Sequence, residues 1–294
     1  MVDSPLKARR PKLRLRFVAE EAMPGIISAH DLARLVGSAD CPHIVDVRRQ
    51  RAFTSEGRRI AGAVWRDHMQ AADWSHGLDD GRGIVVYCSH GHNVSQIAGT
   101  LIAAEGIAVR VLADGIAAYV EAGGLTIDRE GLGIVPGLPV PSVWVTRERP
   151  KIDRIACPWL IRRVIDPYAI VHFVTAEWVK EIADEMGAIP YDVDGVHYSH
   201  RDGTCSFDTI LDEFGIDDAA LRHLARIVRG ADTARPDLEP EAAGLLAVSL
   251  GLSAIESNDL KQLEKGMIVY DALYGWCRFA VSEHHNWPSR TEQA

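Results

Sequence analysis

Apolar runs bounded by polar residues give the first half of this chain a strand–helix rhythm. Residues 44–47 (IVDV) predict a buried strand and residues 84–87 (IVVY) a stronger one. Between them, residues 60–65 (IAGAVW) predict a turn into a short strand. Ser28, with Asp31 three residues on and Leu32 and Leu35 beyond, is a helix-start signal. Val94, Ile97, Ala98, Leu101 and Ile102 fall at helical spacing, and Gly106 is placed to end that helix before Val109 and Val111 begin another strand. The alternation predicts an α/β fold, a parallel sheet with helices on both faces.

The rhythm stops at residues 125–142, where Gly131, Gly133, Pro136, Gly137, Pro139 and Pro141 leave no periodicity and mark a linker. Beyond it the pattern is mainly helical, over residues 218–229, 240–250 and 259–281. The last segment carries Leu260, Leu263, Met267, Tyr270, Leu273, Tyr274 and Cys277 as one stripe. Residues 171–174 (VHFV) predict a small sheet beside these helices. A chain of 294 residues accommodates two cores. The expected organisation is a basic N-terminal arm (1–24), an α/β domain (25–124), a Gly/Pro-rich linker (125–142), a mainly helical domain (143–282) and a tail (283–294).

Charge narrows the partners. The formal net charge of −9 argues against a general nucleic-acid binder, which works by neutralising phosphates. The cations Lys7, Arg9, Arg10, Lys12, Arg14 and Arg16 face only Asp3 and read as a frayed terminus or an interaction arm. No apolar run reaches the ~20 residues that span a bilayer, and no apolar stretch follows Arg9–Arg10 as a secretory or twin-arginine signal would require. The five cysteines are scattered and never spaced as CxxC, which suits free thiols in the cytoplasm.

Cys88 has the placement chemistry needs. It ends an apolar strand, and the loop Ser89, His90, Gly91, His92, Asn93 leads into the helix that begins near Val94. Such a loop turns backbone N–H groups toward the sulfur, and the helix N-terminus adds positive potential. Both favour a thiolate and a terminal persulfide. Gly91 suits the tight turn because it tolerates positive φ. The competing reading is a buried cysteine acting as a small hydrophobe.

Asp46-Val47-Arg48, Gly62-Ala63, residues 85–88 with Gly91, residues 112–116 (LADGI) and Tyr119 to Gly123 together resemble the single-domain rhodanese pattern over about residues 25–124. The resemblance implies a persulfide on Cys88, loaded from a donor such as thiosulfate and passed to a thiophilic acceptor. It also implies an anion-binding loop from Ser89 to Val94, supported by Asp46 and Arg48. Rhodaneses commonly carry a cation in that loop; here the positions hold Ser89, Asn93 and Val94. His90 and His92 are candidate substitutes.

In the second half, residues 144–163 (WVTRERPKIDRIACPWLIRR), 200–208 (HRDGTCSFD), 229–232 (RGAD) and 270–276 (YDALYGW) resemble the C-terminal domain of ChrB-type chromate-resistance proteins. Two features stand out there. Arg147, Arg149, Lys151, Arg154, Arg162 and Arg163 form a basic cluster suited to tetrahedral oxyanions. Cys157 precedes Pro158 and so falls at a candidate N-cap. The alternative is a salt-bridged helix face over a buried cysteine. His197, His200, Cys205, Asp208 and Asp232 are Zn- or Fe-ligating types, with His200, Cys205 and Asp232 the preferred set; the alternative is hydrogen-bonded core polar groups.

The expected function is sulfur transfer through Cys88, linked to chromate or oxyanion resistance. It takes a small-molecule sulfur donor and a thiol acceptor, with chromate or sulfate as further ligands and no cofactor needed for the transfer. The alternative is a non-catalytic oxyanion or redox sensor.

Overall fold

The computed structural model describes residues 23–128 and 141–283. The expected N-terminal arm up to residue 22, most of the linker and the tail beyond residue 283 lie outside the described residues. The first half runs β1 (Gly25–Ile27), α1 (Ala29–Leu35), β2 (His43–Asp46), α2 (Gln50–Ser55), β3 (Arg58–Ile60), β4 (Val64–Trp65), α3 (Ala71–Ser75), β5 (Ile84–Tyr87), α4 (Asn93–Ala104), β6 (Val109–Leu112), α5 (Gly115–Glu121) and β7 (Thr126–Asp128). The second half runs β8 (Val143–Arg147), α6 (Asp153–Leu160), β9 (Ile170–Val174), α7 (Val179–Met186), β10 (Ile189–Pro190), α8 (Ser206–Glu213), α9 (Ala219–Asp232), α10 (Ala242–Ile255) and α11 (Asp259–Phe279).

Every residue of β2 and β5 is buried, as expected of strands covered on both faces. They form the centre of a five-stranded parallel sheet in the order β1-β6-β5-β2-β4, with Asp46 opposite Tyr87. Ser28 caps α1 through Asp31, as its spacing predicts. Residues 126–128, placed in the linker by composition, instead form β7 and pair antiparallel with β3. Gly and Pro mark a loop only from where backbone pairing ends.

In the second half, β8 lies between β10 and β9 in a three-stranded parallel sheet, the small sheet that residues 171–174 predict beside the helices. Cys157 is not an N-cap. It lies within α6, fully buried, and Pro158 follows it inside the helix. A mid-helix proline cannot donate to the carbonyl four residues back, here that of Arg154, and the Tyr191 hydroxyl donates to that carbonyl instead at 3.3 Å. The helix then continues as a π-turn over Ile161–Ile165, where Asp166 N–H reaches the Ile161 carbonyl. On α11, Leu263, Met267, Tyr270 and Tyr274 are buried, but Leu260 is 53% exposed and leaves the stripe.

The two halves do not keep separate cores. One face of the first sheet (Val45, Val86, Val111) packs on α4 residues Ala98 and Ile102. The other face (Ile44, Val85, Tyr87, Leu112) joins residues of α1, α5, α6, α8, α9 and α11 in one continuous apolar cluster. Polar contacts stitch the same boundary. Gly62 N–H donates to Val164, buried Arg59 donates to the carbonyls of Ala63 and Ile165, and Arg278 donates to the carbonyls of Ala33 and Val36.

Candidate functional site

Cys88 follows β5 and sits at the floor of a shallow cavity of about 270 Å³. Its Sγ lies 3.2 Å from Ser95 Oγ and 3.8 Å from the His92 carbonyl. Among the described residues, none accepts a hydrogen bond from the backbone N–H groups of Ser89 to Val94. Those donors stand at the N-terminal end of α4, where a helix offers unpaired N–H groups and positive potential.

The loop is held from behind. Cys88 and Ser89 carbonyls accept from Ile116 and Ala117 at the start of α5. Gly91 (φ 71°) and Gly115 (φ 66°) adopt left-handed backbone where the two segments touch. A Cβ on Gly115 would fall on the Cys88 carbonyl oxygen and within 2.7 Å of the Gly91 and His90 nitrogens. From the side, Ser89 Oγ donates to Glu56, Glu56 accepts from Arg48, and Arg48 Nε donates to Asp46 at 3.0 Å; Tyr87 hydroxyl donates to the same carboxylate at 2.9 Å. Arg48 and Asp46 are both buried, and their pairing raises the Arg48 pKa against the opposing effect of desolvation. Arg48 and Asp46 thus anchor the loop from beneath it.

A second constellation lies at the carboxyl ends of β8 and β10, where α/β folds gather ligands. Buried Asp153 opens α6, buried Asp192 follows β10 with φ 51°, and Asp232 ends α9. His200 Nε2 lies 3.5 Å from Asp153, 3.3 Å from Asp192 and 3.3 Å from Asp232. Hydrogen bonds to these three carboxylates, Asp153 first, push the His200 pKa up to about 12. Desolvation raises that of Asp153, and its aspartate neighbours add to the rise. Arg147 and Arg154 also reach Asp192, at 3.4 and 3.3 Å. Asp153, Asp192 and His200 each bring a ligand atom to within 4.8 Å of the others and could hold a divalent cation.

Residues 28–122 match the rhodanese-like domain family, and residues 144–277 match the family described as ChrB, C-terminal domain. The chain joins a rhodanese-like domain to a ChrB C-terminal domain. Protein ChrB of Cupriavidus metallidurans is 36% identical over 132 residues, which are 45% of this chain and 39% of that protein. The chain thus spans about two fifths of that relative's length. Among solved structures, a rhodanese-related protein from Thermoplasma volcanium is 22% identical and covers 35% of this chain and 96% of its own, with a TM-score of 0.30. The rhodanese-like domain of an Anabaena sp. protein is 30% identical over 35% of this chain and 79% of its own, with a TM-score of 0.31.

In the rhodanese-like domain the structure brings together Cys88, the loop from Ser89 to Val94, and the Asp46–Arg48 support. His90 and His92 are exposed on that loop. Arg49, which the motif reading passes over, lines the same cavity. The adjacent Asp-x-Arg signal was the only clue, because residue 49 follows it in sequence.

The ChrB C-terminal domain corrects two expectations. Its cations do not converge: Arg162 and Arg163 pair with Glu264 and Asp271 on α11, and Arg149 donates to the Ser253 carbonyl. Arg147 and Arg154 do meet, and both pair with Asp192, Arg154 largely buried and Arg147 half-exposed. The metal-type residues also regroup. His200 and Asp232 come together, but Cys205 is the N-cap of α8, where its backbone N–H and its thiol both meet Asp208. Asp153 and Asp192 take its place; their positions in sequence, 47 and 8 residues from His200, carry no spacing signal.

His200→Gln should lower stability by about 1–3 kcal/mol near neutral pH, below the full range for a broken buried pair because the imidazole is 43% exposed. The folded-state pKa lies above the ordinary 6.5, so this contribution is complete below about pH 6.5 and is lost as pH rises toward about 12. Urea midpoints of wild type and variant should therefore converge as pH is raised from neutrality.

Proposed function

We propose that this chain is a sulfurtransferase that carries sulfur as a persulfide on Cys88, in the setting of chromate or related oxyanion stress. One observation carries the reading: a buried cysteine that lines a cavity at the N-terminal end of α4, in a loop whose backbone N–H groups at residues 89–94 have no acceptor among the described residues. Unpaired N–H groups in the loop that follows the sulfur suit a group that becomes anionic as a thiolate and remains anionic as a persulfide. The match to the rhodanese-like domain family supports the same chemistry, and the match to the ChrB C-terminal domain supports the oxyanion setting.

In the thiol form, Cys88 donates to the His92 carbonyl. In the thiolate form, Ser95 Oγ can turn its proton to the sulfur. The thiolate attacks the outer sulfur of a donor such as thiosulfate. The donor's S–S bond breaks, and sulfite leaves with the bonding electron pair. An acceptor thiolate then attacks the outer sulfur of the Cys88 persulfide, forming a new S–S bond and returning the Cys88 thiolate. The cycle needs no external oxidant or reductant and no cofactor.

Mass spectrometry of the intact protein after thiosulfate tests this. An added mass of one sulfur on the Cys88 peptide, removed by cyanide, is the expected result. No adduct with thiosulfate or with an alternative persulfide donor overturns it.

A further inference from the structure

The cavity above Cys88 has a cation that does not come from its loop. Arg49 is the N-cap residue of α2, lines the cavity with Cys88, His90, His92 and Asn93, and is exposed to solvent. Its side chain makes no hydrogen bond or ion pair among the described residues. The neighbouring Arg48 cannot serve a ligand in the same way, because Asp46 and Glu56 already occupy its guanidinium. The arginines of residues 147–163 are engaged as well, by Asp192, Glu264, Asp271 and the Ser253 carbonyl. Arg49 is left as an unpaired guanidinium facing a small cavity, opposite the N-terminus of α4.

We infer that Arg49 is the specificity-determining residue of this pocket, and that it selects small anionic ligands, tetrahedral oxyanions included, for presentation to Cys88. A guanidinium fork matches two oxygens of a sulfate-like group while the loop N–H groups receive the remaining charge. This placement explains how a cysteine loop without Lys or Arg can still attract an anion. The cation reaches in from the neighbouring β2–α2 connection instead. The inference deepens the proposed function by naming the ligand class, and it can be tested without sulfur transfer.

The test compares alkylation of Cys88 in the full chain by iodoacetate, an anion, and iodoacetamide, its neutral counterpart, read on the Cys88 peptide. Arg49→Gln should slow iodoacetate by ~3–10-fold at low ionic strength and leave iodoacetamide within twofold, since one charge at close range in a partly screened pocket has about that effect. Arg51→Gln, one exposed arginine further along α2 and outside this cavity, should change neither rate. Sulfate should protect wild type from iodoacetate and lose that protection in Arg49→Gln. Equal iodoacetate-to-iodoacetamide ratios in wild type and Arg49→Gln overturn the inference, as does a Cys88 that resists both reagents. Failure to form a persulfide, with the ratio still dependent on Arg49, removes the sulfurtransferase reading and leaves an anion-binding pocket.

Discussion

Cys88→Ser should lower persulfide formation by ~1,000-fold or more, because a nucleophile's loss removes the covalent step itself. Cys41→Ser and Cys277→Ser should leave it within about twofold, as expected of substitutions at half-buried positions outside the Cys88 cavity. The structure gives the reason. Burial pushes the Cys41 and Cys277 thiols up to about 11, so at neutral pH both stay protonated. Cys157 and Cys205 are raised too, first by burial and then by Asp153 and other acidic neighbours. Cys157 is also no candidate acceptor for sulfur from Cys88, since it is enclosed within α6 and donates to Asp153. Initial rates of cyanide-dependent thiocyanate formation check the series. Full activity in Cys88→Ser would end the persulfide reading, and loss of activity in Cys41→Ser would redirect it.

Asp46→Ala should destabilise the protein by about 3–5 kcal/mol, the range for removing one partner of a buried ion pair. Arg48 would then lie buried with Glu56 as its remaining carboxylate partner, and the Tyr87 hydroxyl would lose its acceptor. The effect should reach function as well. Arg48 holds Glu56, and Glu56 holds Ser89 beside Cys88. Urea unfolding gives the first quantity, and persulfide formation well below the transition midpoint gives the second. A change below about 1 kcal/mol would mean that solvent or rearrangement rehouses the guanidinium.

The parallel sheet was legible because IVVY is apolar without interruption and IVDV is broken only by Asp46, and a strand buried on both faces needs little other signature. The cysteine loop was legible for a related reason, since its parts are contiguous from Cys88 to Val94. Arg49 was not: it enters the pocket through the pairing of β2 with β5, which sets the end of one strand beside the end of the other. The carboxylate–histidine constellation was half legible: residue type picks out His200 and Asp232, but Asp153 and Asp192 join them only once β8 and β10 pair and α9 packs back on α6. Cys157 misled for a local reason. Proline most often opens a helix, whereas here Tyr191 supplies the partner that the Arg154 carbonyl would otherwise lack.

The apolar cluster shared by both halves makes them one thermodynamic body. A calorimetric scan of the full chain should show a single heat-absorption peak, with calorimetric and van't Hoff enthalpies equal, in place of two separable events. An anion that occupies the Cys88 pocket therefore stabilises more than the domain it touches. At a hundred times its Kd it adds about 2.7 kcal/mol to the shared transition, and helices α9 and α11, which never meet the ligand, should gain the same protection from amide hydrogen exchange at their most protected sites. Occupancy at one end of the molecule becomes resistance to unfolding at the other, with no moving part between them.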